Sequence, residues 1–339
     1  MTAPWLADQR PARSPPKERR MFYVAHRLFA AHDRALGALA ARRLAVAVGA
    51  HNVFLPFCDT DEEDLVADVK GRMLFDLDTA RLQQLSGMLA ILHGPSLDDG
   101  VCLEIGYAAA LGAPIVVVTT DFTTWALTEH EPELAFPDPL IEAIAGAVVR
   151  VPKLRPAPGN NTEDLYLGFS ARNTAQLGHA VDNAVDRLLD LAQAAAPSSA
   201  PVPRPRGDLV FCEPSPYLPS SDWQPITERL RTYGYQPVTS TRLNAHPALK
   251  AVRAAAQDWV TAMAASVLVA DVNGPETPPG AALLAGAFTA LERPIHARHH
   301  RPVWSLASGR EPNRRNLMIQ YAIRHWFTDH PDLAPRSCL

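Results

Sequence analysis

The chain has 339 residues, 47% hydrophobic and 20% charged, and a net charge of −4 from 32 Lys and Arg against 36 Asp and Glu. Such a length allows two domains of ordinary size, and such a composition excludes a disordered chain. The balanced charge gives no reason to expect nucleic acid or a membrane surface as partner, and no apolar run is long enough to cross a bilayer. Residues 1–20 are rich in Pro, Arg and Ala and lack the apolar stretch of a secretory signal, so they read as a disordered lead-in. Cys58, Cys102, Cys212 and Cys338 are scattered, without a Cys-x-x-Cys pair. They are expected to be reduced thiols of a cytoplasmic protein with no metal or redox role.

From residue 21 onward, short apolar runs alternate with helical stretches, the pattern of a parallel sheet wrapped by helices. Strands are predicted over 21–25, 53–57, 88–92, 115–119 and 148–151. Helices are predicted over 29–48, 74–86, 101–111, 139–145 and 174–195. The acidic stretch 59–64 reads as a solvated loop after the second strand. A Pro-rich linker over 196–207 suits an extended spacer. The pattern then restarts: a shift of 180 residues places Asp78 on Asp258, Gly100 on Gly280, Gly106 on Gly286 and Pro114 on Pro294. Leu209 to Glu213 echoes the first strand. This is an internal duplication, and its halves are expected to face each other in place of a symmetric dimer.

The halves differ where chemistry would sit. Between Val101 and Thr120 the only charged side chain is Glu104, and its counterpart in the second half is Leu284. The counterpart of Asp98 is Pro278. An ionised carboxylate in apolar surroundings is costly and needs partners. Asp98, Asp99 and Gly100 read as a turn and N-cap, so Glu104 is expected near the first helical turn, where the dipole favours an anion. The bland reading is an ordinary acidic residue of a first turn. Against it, three more polar groups recur at matching places: Tyr23 in the first strand, Asp78 on the helix before the third strand, and Asp98 after that strand. All four could gather at the carboxyl edge of one sheet, where open α/β sheets bind ligands. Carboxylates with a phenol suit glycosidic chemistry, one attacking the anomeric carbon and another moving the leaving group's proton.

The segments Phe-Tyr-Val-Ala-x-x-Leu-Phe, Asp78-x-x-x-Leu and Asp98-x-Gly-x-x-x-Glu104-x-Gly-x-Ala, with Gly112-x-Pro114, resemble nucleoside 2-deoxyribosyltransferases over about residues 21–150. The resemblance implies that Glu104 is the nucleophile, that Tyr23 orients it, that Asp78 handles the base and its proton, and that Asp98 helps hold base and sugar. Asp76 is a neighbouring candidate for the role of Asp78. Members of the family also borrow an Asn-x-Met segment from a neighbouring subunit. Here Asp138-Pro-Leu140 stands at that place in the first half, and Asn316-Leu-Met318 in the second. The resemblance therefore implies one composite site per chain, with Asn316 and Met318 donated by the second half beside Gly100; the bland alternative is that Asn316 merely caps a helix.

The expected architecture is α/β: two flavodoxin-like or Rossmann-like doubly wound parallel-sheet domains, at 21–195 and 208–339, forming an intrachain pseudo-dimer that could assemble further. The implied substrates are a nucleoside and a free nucleobase, with no cofactor. The expected activity is transfer of the sugar between bases. Hydrolysis of the same bond and non-catalytic nucleoside sensing are the alternatives. Related hydrolases of nucleoside 5′-monophosphates carry serine where Asp98 stands, and an aspartate there would repel a phosphate, which favours a 5′-hydroxyl. The cluster from His296 to Arg301 reads as a solvated loop rather than a metal site. Residues 94–100 form no phosphate-binding loop. Arg27 and Arg81 fall near the site and are expected to have surface roles, and His26 and His93 lie at strand ends without an expected catalytic role.

Overall fold

The computed structural model describes residues 21–56, 68–126, 133–154, 162–195, 204–244, 251–300, 306–307, 312–313, 315–329, 331 and 333. The lead-in, the acidic stretch 59–64, Cys58, Cys338 and linker residues 196–203 lie outside them. In the first half, β1 (Met21–Ala25), β2 (Val53–Phe54), β3 (Leu85–Ile91), β4 (Ile115–Thr119) and β5 (Ala147–Arg150) form one sheet in the order β2-β1-β3-β4-β5, all parallel. The helices are α1 (Ala31–Val48), α2 (Asp68–Leu82), α3 (Asp99–Ala110), α4 (Pro139–Ile144) and α5 (Thr162–Ala194).

The second half repeats this plan. Strands β6 (Arg206–Glu213), β7 (Gln236–Thr239), β8 (Ala265–Asp271) and β9 (Ile295–Arg298) are followed by a small ribbon, β10 (Leu306–Ala307) with β11 (Pro312–Asn313), and by β12 (His325–Phe327). The sheet runs β12-β9-β8-β6-β7, again wholly parallel and in the same winding as the first. Its helices are α6 (Gln224–Thr232), α7 (Ala251–Ala264), α8 (Pro279–Ala290) and α9 (Leu317–Ala322). Both halves are doubly wound α/β units. Strand β8 is β3 displaced by 180 residues, and α8 is α3 displaced equally. Strand β6 starts at Arg206, inside the stretch read as linker.

Alternation along the strands decides which side chains reach the seam. Phe22 and Val24 point to the outer face of the first sheet and pack with Leu44 of α1 and Leu188 of α5. Tyr23 and Ala25 point the other way, into a core that runs without a break through both halves, including Leu103, Tyr107, Leu283 and Phe288. At its centre α3 and α8 cross at backbone contact. A methyl group on Gly106 would overlap the carbonyl of Leu283, and one on Gly286 would overlap that of Leu103. The two glycines let the helices meet, and this seam sets the two sheet edges against each other. Among the described residues no helix is long and apolar enough to cross a membrane.

Candidate active site

Tyr23 is wholly buried in β1, and its ring packs on Phe54 of β2 with centroids 5.2 Å apart. Its hydroxyl donates to Oε1 of Glu104 at 2.6 Å. Glu104 is itself 6% exposed. An O–H···O bond this short lies in the range of bonds to an ionised carboxylate. One expectation needs correction: α3 begins at Asp99, so Glu104 stands in its second turn. The helix dipole fades within the first turn, and the tyrosine hydroxyl meets this carboxylate directly.

Asp98 is the N-cap of α3 and accepts from the Val101 N–H at 2.9 Å. Burial, reinforced by the neighbouring Asp99 charge and opposed by the Val101 N–H, pushes its carboxyl up to about 7. Burial raises Asp99 as well, against the Thr277 N–H that donates to its Oδ2 at 3.1 Å. Arg27, in the loop after β1, lies 3.9 Å through Nε from Oδ2 of Asp98 and donates through Nη2 to Glu276 at 3.1 Å. Thr277 and Glu276 belong to the second half, so both halves build this edge.

Along α2, Asp78 is buried and Asp76 exposed. The far end of the same helix touches α9: Gly71 lies against Leu317 and Tyr321, and the Arg72 guanidinium stacks over the Tyr321 ring at 4.5 Å. Asn316 caps α9, its Oδ1 accepting from the Met318 N–H at 3.0 Å. The same side chain lies over the start of α3, where a Cβ on Gly100 would stand 2.8 Å from Asn316 Nδ2. Capping and contact with the first half are therefore both present. Met318 is buried in the shared core.

The pseudo-symmetric place in the second half is filled. Arg242 is fully buried; its Nε and Nη2 reach Asp138 at 2.7 and 2.8 Å, and its Nη1 and Nη2 reach Glu213 at 3.0 and 2.6 Å. Asp258, in the position that Asp78 holds in the first half, lies 3.5 Å from Arg242 Nη1 and also accepts from the Thr241 and Arg242 N–H groups. A side chain on Gly280 would overlap the guanidinium. Glu213 is pushed up by burial even beside Arg242.

Arg242, Glu213 and Glu276 were not found from the sequence. Glu213 gave the one available signal, a charged residue closing an apolar strand where the first half has Ala25. Several signals set aside take definite places. His296 is not in a solvated loop: it is a buried residue of β9, stacked on His325 with ring centroids 4.5 Å apart. His299 is buried edge-on to Trp326. His26 is buried, which lowers its pKa, and Gly37 is pressed against its ring. His93 Nε2 lies 2.7 Å from Asp33 Oδ1. With His32 these two bring three possible ligand atoms within 4.8 Å of one another, a group that could hold a metal ion. Arg81 lies over the Phe54 ring at 5.4 Å.

A carboxylate hydrogen-bonded to a phenol, beside further buried carboxyls at the end of a doubly wound sheet, suits nucleophilic attack on a sugar. Residues 22–163 match the family model described as nucleoside 2-deoxyribosyltransferase. The first half is thus similar to that family over these residues. No curated protein matches the chain.

Proposed function

We propose that the chain cleaves the N-glycosidic bond of a (2′-deoxy)nucleoside and passes the sugar to a second base through a glycosyl–Glu104 intermediate. One Glu104 oxygen attacks C1′, and the electron pair of the C1′–N bond leaves with the base, which takes a proton from Asp78. The incoming base nitrogen then attacks C1′, loses its proton to Asp78, and releases Glu104. Tyr23 keeps the attacking carboxylate in place. Asp98 and Gly100 on one side, and Asn316 and Met318 on the other, hold the sugar at the seam.

The observation that carries this reading is the 2.6 Å bond from Tyr23 to Glu104, a buried carboxylate in the apolar stretch of α3 that follows Gly100. The second half supports the part given to Asp78. Its counterpart Asp258 faces Arg242, which also reaches the Asn316 counterpart, Asp138. Asp78 is buried like Asp258, whereas Asp76 is exposed.

Incubating the full chain with a panel of 2′-deoxynucleosides, with and without a second free base, tests the reading. Base exchange supports transfer. Free sugar in both arms replaces transfer by hydrolysis, and saturable binding with neither product makes the protein a nucleoside sensor.

A further inference from the structure

Arg27 is the basic group beside Asp98 among the described residues, and a residue of the opposite half holds it. Glu276, in the loop between β8 and α8, accepts from Arg27 Nη2 at 3.1 Å and from Ser96 Oγ at 3.4 Å. Its neighbour Thr277 fastens the same loop to Asp99. Arg315 donates to the Gly274 carbonyl at 3.0 Å, and its charge bears on both Asp99 and Glu276.

The N-terminus of a long helix such as α3 ordinarily attracts an anion, and a nearby arginine would complete a phosphate site. Here the surroundings oppose that. In the first turn of α3 the Val101 N–H is taken by Asp98, and three carboxyls, Asp98, Asp99 and Glu276, face two guanidinium groups. Arg27 is partly exposed and within reach of a ligand at this edge, but its fork is already engaged by Glu276 and faces Asp98.

We propose that Glu276 is a specificity-determining residue: by holding Arg27 from across the seam it denies that guanidinium to a phosphate and restricts the site to nucleosides with an uncharged sugar end. This inference rests on the nucleoside site proposed around Glu104. A phosphate arriving at Arg27 must displace one carboxylate while lying close to another. Replacing Glu276 removes a repulsion and frees a bidentate donor at one stroke.

The test is calorimetric binding to the full chain of each of the four common 2′-deoxynucleosides and its 5′-monophosphate. The variants are Glu276→Gln, which keeps the side chain's size, Glu276→Ala, and Arg27→Gln combined with Glu276→Ala. The wild type is expected to favour nucleoside over monophosphate. In both Glu276 variants the ratio of monophosphate to nucleoside affinity should rise by about tenfold or more, as expected from removing a like charge near 4 Å at the edge of a protein. The gain should shrink when Arg27 is also replaced, since only the removed repulsion then remains. An unchanged ratio in a folded Glu276 variant that still binds nucleoside overturns this inference alone, as does a gain that loss of Arg27 leaves undiminished. Binding of neither ligand by the wild type overturns the nucleoside site itself and this inference with it.

Discussion

Asp138 and Asn316 are structural counterparts, each capping a short helix and each lying against the start of the other half's long buried helix. Asp138 Oδ1 accepts from the Leu140 N–H at 2.9 Å, and Asn316 Oδ1 from the Met318 N–H at 3.0 Å. One meets the Arg242 guanidinium beside Gly280, the other lies over Gly100. The duplicated seam therefore has one edge closed by the chain's own arginine and one edge carrying Tyr23, Asp98 and Glu104.

Arg242 holds together carboxylates from both halves. Replacing it by Met leaves Asp138, Glu213 and Asp258 buried without their cation, a loss of about 3–5 kcal/mol. Burial already raises Glu213, and without Arg242 its folded-state pKa rises further. The variant's stability is then fullest at low pH and is lost as pH rises through that value. Thermal melts should show a large deficit at pH 8 that narrows toward pH 5; equal melting temperatures at pH 8 would count against the ion cluster.

The α3–α8 contact has no room for a methyl group. Gly106→Ala should force the helices apart at a cost of about 1–3 kcal/mol or more. Because Asn316 and Glu276 reach the first half across this seam, exchange activity should fall in molecules that remain folded. Denaturant titration together with an activity assay checks both, and wild-type values in each would refute the close packing.

Removing the Tyr23 hydroxyl deprives Glu104 of a hydrogen bond to a charged group, worth about 1.5–3 kcal/mol. If that bond serves the reacting geometry, Tyr23→Phe should lower kcat by roughly 10- to 100-fold with little change in fold. Steady-state kinetics alongside circular dichroism separates the two effects.

Asp98 has its folded-state carboxyl raised from 3.8 to about 7. A raised acid contributes stability that is complete below its unfolded pKa and is lost as pH rises through the folded one. The chain should therefore lose stability between about pH 4 and pH 7 through this residue, on the order of 2–4 kcal/mol. Asparagine caps helices as well as aspartate, so Asp98→Asn should flatten that slope and melt higher than wild type at pH 8. An unaltered slope would show that the charge is not suppressed.

Much of the scaffold was legible because buried parallel strands are short unbroken apolar runs: 21–25 and 115–119 match β1 and β4 to the residue. Boundaries failed where local pattern and tertiary packing disagree. Residues 85 and 86 continue a helical pattern yet begin β3. Helix α5 starts at Thr162 rather than 174, because its early residues Tyr166, Leu167 and Phe169 are exposed and present no core-facing period. Glu104 stood out as the lone charge in an apolar segment. Arg242 and Glu276 could not, since each has a partner more than a hundred residues away across the seam that no local pattern announces.

Covalent bonding of the sugar to Glu104 is what the proposed reaction stands on. Denaturing mass spectrometry after a brief soak with a 2′-deoxynucleoside, followed by peptide mapping, is the decisive experiment. The expected result is a chain heavier by one deoxyribosyl group, the added mass on Glu104, and no adduct in Glu104→Gln, whose exchange rate should drop by about 10³-fold or more. A Glu104→Gln protein that exchanges bases at the wild-type rate, or a sugar mapped to another residue, would contradict it.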